Sequence, residues 1–169
     1  MPEFLLENLV LIIGGTLTGL IAGVYYTFNV AIVPALRAAN PTHHIAVMQA
    51  INDKIKNPVF FLSFLGPTVL LPLAAYLHRD RPEFWLIAAA AALHIVGGNG
   101  VTIAGNIPLN ERLARLDVRQ LSEAEAERVR TEFQGVGSAW MRLHHLRTLT
   151  SALAVALLLI ACLVKYAPR

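Results

Sequence analysis

Four stretches of this chain carry no Asp, Glu, Lys or Arg: residues 8–36, 57–78, 84–110 and 148–164. Each contains a mostly apolar segment near the length that crosses a bilayer as a helix, about 20 residues with a range of about 17 to 25. Helices buried inside a soluble bundle would fit the lengths equally well. They would also need a charged surface, and only 15% of the 169 residues are charged, against about 25% in an ordinary soluble domain. The chain therefore reads as all-α: one integral membrane four-helix bundle over 1–169, with spans near 8–29, 58–77, 84–106 and 147–165.

The first run is read as a span rather than a signal peptide, because "MPEF" and Glu7 provide no positive leading segment. The single cysteine, Cys162, lies inside the last span and has no intrachain partner for a disulfide. Basic residues set the expected orientation. Arg79, Arg81, Lys165 and Arg169 fall on one side; Arg37, Lys54, Lys56, Arg112, Arg115, Arg119, Arg128, Arg130, Arg142 and Arg147 fall on the other. The positive-inside rule then puts loops 30–57 and 107–146 in the cytoplasm and both termini outside. The net charge of +3 thereby has a cause in anionic lipid at the cytoplasmic leaflet, and nucleic acid is not an expected partner.

Both long loops are expected to hold a short extramembrane helix. In the first, Asn40 and Pro41 make a good start, and Ile45, Met48, Ile51 and Ile55 recur on one face. Asn57-Pro58 stops that helix and opens the second span. In the second loop Ser122 and Glu125 fit a capping box. Glu125/Arg128 and Glu127/Arg130 are helix-spaced pairs on a face expected to be solvated. "GVG" at 135–137 breaks this helix before the fourth long one.

Within the spans, small and polar residues are the informative ones. Gly15, Gly19 and Gly23 recur every four residues, a pattern that lets helices approach closely and offers a face for homo-oligomers. Tyr25, Tyr26, Phe28 and Asn29 follow at the cytoplasmic end; the tyrosines read as an interfacial belt, or one of them lines the mouth of a site. His94, Asn99, Thr102 and Asn106 form one broad polar stripe on the third span, with Asn110 a turn further on. Trp140, His144, Arg147 and Ser151 form a second stripe, and only one of His144 and His145 can point along it. Lipid offers such groups no partners, so they face the bundle interior or a cavity. Interhelical hydrogen bonds alone would account for any one of them. Two asparagines flanking Pro108, opposite Trp, His and Arg, suggest a pocket at the cytoplasmic ends of spans three and four.

Local metal motifs are missing. His43-His44 and His144-His145 diverge by about 100° on a helix, and no HExxH, Cys-rich or phosphate-loop pattern occurs. His94 and His145 meeting through the fold stay open as haem or metal ligands.

"AGVYYTFNVAIVPALR", "MQAINDKIKNPVF", "GNIPLNERL" and "WMRLHHLRT", in that order, resemble the anthrone oxygenase family of small membrane proteins. The likeness runs from about Gly23 to Ser151. This chain has His144 where the family often has Asn. The resemblance implies oxidation of the activated methylene of an anthrone to a quinone, with no evident cofactor. It carries over His145 as base, Arg147 with Asn106 or Asn110 at the enolate oxygen, and Trp140 stacked on a polycyclic substrate. Asn29, Asn57, Thr102 and His144 complete the expected substrate contacts. The residues also leave room for a protein that binds or moves a lipophilic compound without turnover, and for a haem- or metal-binding redox protein.

Overall fold

The computed structural model describes residues 2–166, and no strand occurs among them. Helix α1 (Pro2–Thr27) runs through a π-helical segment, Phe28–Ile32, into α2 (Val33–Ala38). A short helix α3 (Pro41–Lys54) precedes α4 (Pro58–Leu77). Helix α5 (Phe84–Ala92) continues through π-helical segments Leu93–Gly100 and Thr102–Asn106 into α6 (Ile107–Ala114). Helices α7 (Glu123–Gln134) and α8 (Ala139–Tyr166) complete the chain. Four helical stretches, within Leu5–Ala38, Pro58–Leu77, Phe84–Ala114 and Glu123–Val164, are long and apolar enough to cross a membrane. Of the charges used for orientation, Arg169 lies outside the described residues.

The four long helices pack in a ring, with α1 and α5 each lying against both α4 and α8. The burial pattern suits lipid rather than water. Val59, Leu62, Leu65, Val69 and Leu73 of α4, and Leu149, Leu153, Leu159, Ile160 and Leu163 of α8, are exposed, while His94, Asn99, Thr102 and Asn106 are buried. At one end the core is aliphatic and small: Val10, Leu11, Leu71, Ala74, Ile87, Ala90, Ala154 and Leu158. At the other, α2, α3, α6, α7 and the start of α8 close over a second core containing Val33, Ile45, Met48, Leu113, Phe133 and Trp140.

Third and fourth spans approach closely where the sequence has glycine. A Cβ on Gly97 would lie 2.5 Å from Thr150 Cγ2, and one on Gly105 would lie 2.7 Å from Leu143 Cδ1. The regular Gly15/Gly19/Gly23 face is used differently from the close approach its spacing suggests. A Cβ on Gly15 reaches only Leu158, at 3.9 Å, and nothing lies within 4 Å of one on Gly19 or Gly23.

Pro108 does not end the third span. The π-helical segment before it closes with Ile107 N–H donating to the Thr102 carbonyl, a wider turn placed directly ahead of a residue that has no N–H and whose ring crowds the preceding turn. The first span repeats the device: Val33 N–H donates to the Phe28 carbonyl, and Pro34 follows. Both widened turns border the same interior space.

The short helices start as expected. Asn40 Oδ1 accepts from Thr42 N–H, and the Ser122–Glu125 capping box is formed in both directions. The charged face of α7 is largely solvated, as expected, with Glu125 and Arg128 exposed, but Arg130 turns partly inward. Arg130 pairs with Glu127 at 2.6 Å but also donates to the Arg37 carbonyl at 2.8 Å, because α7 lies across the α2–α3 junction. Arg128 reaches Glu132 at 3.9 Å instead of Glu125, whose carboxylate is taken by Ser122.

Candidate functional site

The polar stripe of the third span is assembled from its lower part upward. Asn99 Nδ2 donates to the Phe64 carbonyl and to Thr68 Oγ1, both at 2.8 Å, and His94 Nε2 lies 3.3 Å from the same carbonyl. Pro67 interrupts the α4 ladder beside it. These two residues thus hold the backbone of a neighbouring helix, as polar groups in spanning segments commonly do.

About two turns beyond Asn99, the two asparagines of "GNIPLN" converge on a single tryptophan. Asn106 Nδ2 donates to the Trp140 carbonyl at 3.1 Å. Trp140 Nε1–H donates to Asn110 Oδ1 at 2.7 Å. Between them the indole is fixed at its backbone and at its ring, and it is stacked on His144 with centroids 4.8 Å apart. The i, i+4 spacing of the asparagines is what lets one residue span the height of a side chain and the other the main chain.

Arg147 sits below this clamp, buried. Its Nε donates to His144 Nδ1 at 3.0 Å and its Nη1 to Thr102 Oγ1 at 3.3 Å. The guanidinium carbon lies 4.4 Å from the Tyr25 ring centroid and 5.5 Å from that of Trp140, within cation–π range. Tyr25 Oη is 3.1 Å from Thr102 Oγ1.

Tyr25, Thr102, Asn110, Trp140 and Arg147 border a cavity of about 500 Å³, which Asn106 and His144 do not line; its size is in the range of sites for small organic ligands, about 300–1,000 Å³. Its walls are Val24, Tyr25 and Phe28 from the first span, Phe60, Phe61 and Phe64 from α4, Thr102 and Ile107 from the third, and Trp140 and Arg147 from α8. Gln49, Asn52, Asp53 and Lys56 of the α3 side, with Asn110 and Glu111 of α6, form the rim.

Not every expected residue reaches this space. His144 fills the Trp140–Arg147 face and is buried, packed behind the indole rather than lining the cavity. His145, rotated about 100° from it, is exposed and borders a second cavity of about 250 Å³ with Asn29, Val33, Arg37 and Met141. The base role carried over to His145 is therefore not supported by its position. Asn29 donates to Thr148 Oγ1 at 2.7 Å. Asn57 caps α4, accepting from Phe60 N–H at 3.0 Å. Among the described residues no group of three or more His, Cys, Asp or Glu is placed to hold a metal ion. His94 is buried against Phe64 while His145 faces the second cavity, so that pair does not converge on one ligand.

Residues 60–157 match the profile of the family described as anthrone oxygenase, more than half of the chain. The protein belongs to the anthrone oxygenase family. Neither the comparison with curated proteins nor that with solved structures gives a match. The matched segment contains the Asn106–Asn110–Trp140 clamp, Arg147 and the α4 phenylalanines. Those phenylalanines form a wall of the cavity that no motif in the sequence marks. In sequence Phe60, Phe61 and Phe64 add only to the hydrophobicity of the span, although their i, i+1, i+4 spacing puts an aromatic strip on one side of α4. Tyr25 resolves the first-span ambiguity: it is buried and lines the cavity, whereas Tyr26 is exposed.

Proposed function

We propose that this protein is a membrane-embedded oxygenase acting on a small, flat, hydrophobic aromatic substrate held in the larger cavity. The observation that carries the reading is the wall itself: six aromatic side chains, Tyr25, Phe28, Phe60, Phe61, Phe64 and Trp140, around one buried guanidinium. Aromatic rings stack on polycycles and supply most of the apolar contact, and a single cation can orient a carbonyl or hydroxyl oxygen. Exposed Phe61 and Ile107 on the cavity wall give a lipophilic substrate a route from the bilayer.

Family membership supports a reaction at an activated methylene. Loss of one C–H proton gives a carbanion whose electron pair attacks dioxygen, forming a C–O bond to a peroxide. Loss of the second C–H proton and cleavage of the O–O bond give the carbonyl. The sum is R₂CH₂ + O₂ → R₂C=O + H₂O, so the substrate supplies all four electrons. The protein's part is to bind, to orient the oxygen-bearing ring edge toward Arg147, and to lower the cost of the anion.

Oxygen consumption by the purified protein in detergent, with anthrone as substrate, tests this. Uptake should match product formation mole for mole. Phe61→Ala and Trp140→Ala should each slow it at least several-fold. Equal uptake by wild type, both variants and empty micelles would sink the oxygenase reading.

A further inference from the structure

The charge balance around Arg147 does not close within the protein. Among the described residues, no Asp or Glu lies within ion-pair distance of it. The acceptors His144 Nδ1 and Thr102 Oγ1 are uncharged, and the Tyr25 hydroxyl is the other polar neighbour of Arg147. Tyr25 does not serve as the anion either. The single hydroxyl hydrogen of Thr102 goes to the Gly98 carbonyl at 2.8 Å, so the Tyr25–Thr102 contact at 3.1 Å needs the Tyr25 hydroxyl as donor. A tyrosinate has no hydrogen to give. The remaining charged residues of the cavity, Asp53, Lys56 and Glu111, are exposed on its rim, and Asp53 is engaged with Lys54 at 3.2 Å. His145 faces the other cavity. A buried cation without a counter-charge is costly in so apolar a place, and this one is held in a fixed orientation by two hydrogen bonds and two aromatic faces.

We infer that the cavity takes its ligand as an organic anion, the enolate or phenolate of an aromatic keto or hydroxy compound, with Arg147 as its counter-ion. The inference rests on the reading that the cavity binds flat aromatic molecules, and it adds the charge state in which they are recognised. Ionisation then belongs to binding. A weak acid beside the guanidinium loses its proton more readily than in the surrounding micelle or bilayer, and a neutral compound of the same shape lacks the pairing. His144 and Thr102 act as positioning residues that hold the guanidinium toward the cavity.

Alizarin tests this, because its colour reports its first ionisation and its dimethyl ether is a neutral counterpart. Binding is followed by quenching of tryptophan emission in detergent, and ionisation by the visible spectrum. In the wild-type protein the ionisation midpoint of bound alizarin should fall by about one pH unit or more relative to empty micelles, a ten-fold preference for the anion. Arg147→Gln should still bind the dye while the shift disappears, and Arg147→Lys should keep most of it. Where Arg147→Gln does not fold, the wild type alone decides. Affinity for alizarin should rise with pH through the dye's ionisation, and affinity for the dimethyl ether should stay flat.

A bound dye with an unshifted midpoint overturns the anion inference and leaves the aromatic-cavity reading standing. Failure of the wild type to quench with either dye overturns both. Displacement of alizarin by laurate as readily as by another hydroxyanthraquinone overturns the aromatic class and assigns the pairing to a fatty carboxylate.

Discussion

Trp140 is held from several sides at the cavity. Asn106 fixes its carbonyl, Asn110 its ring nitrogen, His144 one face and Phe133 an edge at 5.5 Å. Two substitutions separate the roles of ring and hydrogen bond. Trp140→Phe keeps most of the apolar contact and loses the bond to Asn110, a change worth about 1 kcal/mol; anthrone binding should weaken by roughly five-fold with the fold intact. Trp140→Ala removes a buried indole, which typically costs about 3–5 kcal/mol of stability, and should abolish binding as well as lower the melting temperature in detergent. If Trp140→Phe were as damaging as Trp140→Ala, the Asn110 bond rather than the ring would be the important element. The asparagines show what was legible at this scale. Their cost in a membrane and their spacing pointed to polar contacts at this height, but the partner of each lay 30 or more residues away. Whether an Asn addresses backbone or ligand depends on which side chain the facing helix presents at that height. A rotation of about 100° likewise decides between His144 and His145, and no local pattern fixes the absolute rotation of α8.

Among the elements, the glycine spacing misplaced the close approach, which falls at Gly97 and Gly105, whereas the helix starts and the spans were written locally, because caps and apolar length need no distant partner. The π-helical segments were not. Pro34 and Pro108 signal an interruption, yet whether a helix ends, kinks or widens there depends on what its neighbours can accommodate. Gly97→Val and Gly19→Ala probe the packing of these elements from opposite sides. The first forces a branched side chain into Thr150, and overpacking of this kind costs about 1–3 kcal/mol; its unfolding midpoint in detergent should fall. The second meets nothing within 4 Å and gains helix propensity, up to about 1 kcal/mol, so its midpoint should hold or rise. A fall for Gly19→Ala in an oligomeric preparation alone would show that this face contacts a second copy.

The junction of α3 with α7 adds a pH dependence outside the spans. His44 is buried, and its Nε2 donates to Gln134 Oε1 at 2.7 Å, leaving Gln134 Nε2 to reach Met48 Sδ at 3.7 Å. Burial first, opposed in part by the Gln134 bond, lowers its pKa from the ordinary 6.5. The unfolded chain therefore takes up a proton that the folded one refuses. Stability from this site is present above about pH 6.5 and declines as pH falls below it, by at most about 1.4 kcal/mol per unit. Thermal melts of wild type should show that acid-side loss, and His44→Gln should flatten it. Greater stability on acidification would mean that His44 carries its proton in the fold.

At the scale of the whole molecule, one end of the bundle is closed by small side chains and the other by α3, α6 and α7, and the cavity of about 500 Å³ lies at the second. Orientation therefore decides which compartment the rim of the site meets. With buried Arg147 set aside, the count of four basic residues against nine predicts, by the positive-inside rule, a rim that faces the cytoplasm. Two exposed positions report on it directly. Val136, 96% exposed between α7 and α8, lies at the rim end, and Asp80, exposed in the α4–α5 turn, lies at the other. In a Cys162→Ser background, a membrane-impermeant maleimide added to intact cells should label Asp80→Cys and spare Val136→Cys, and permeabilised cells should label both. The reverse pattern would turn the molecule over. A substrate anion would then be taken up from the outer face, and the basic loops would violate the rule that governs their placement.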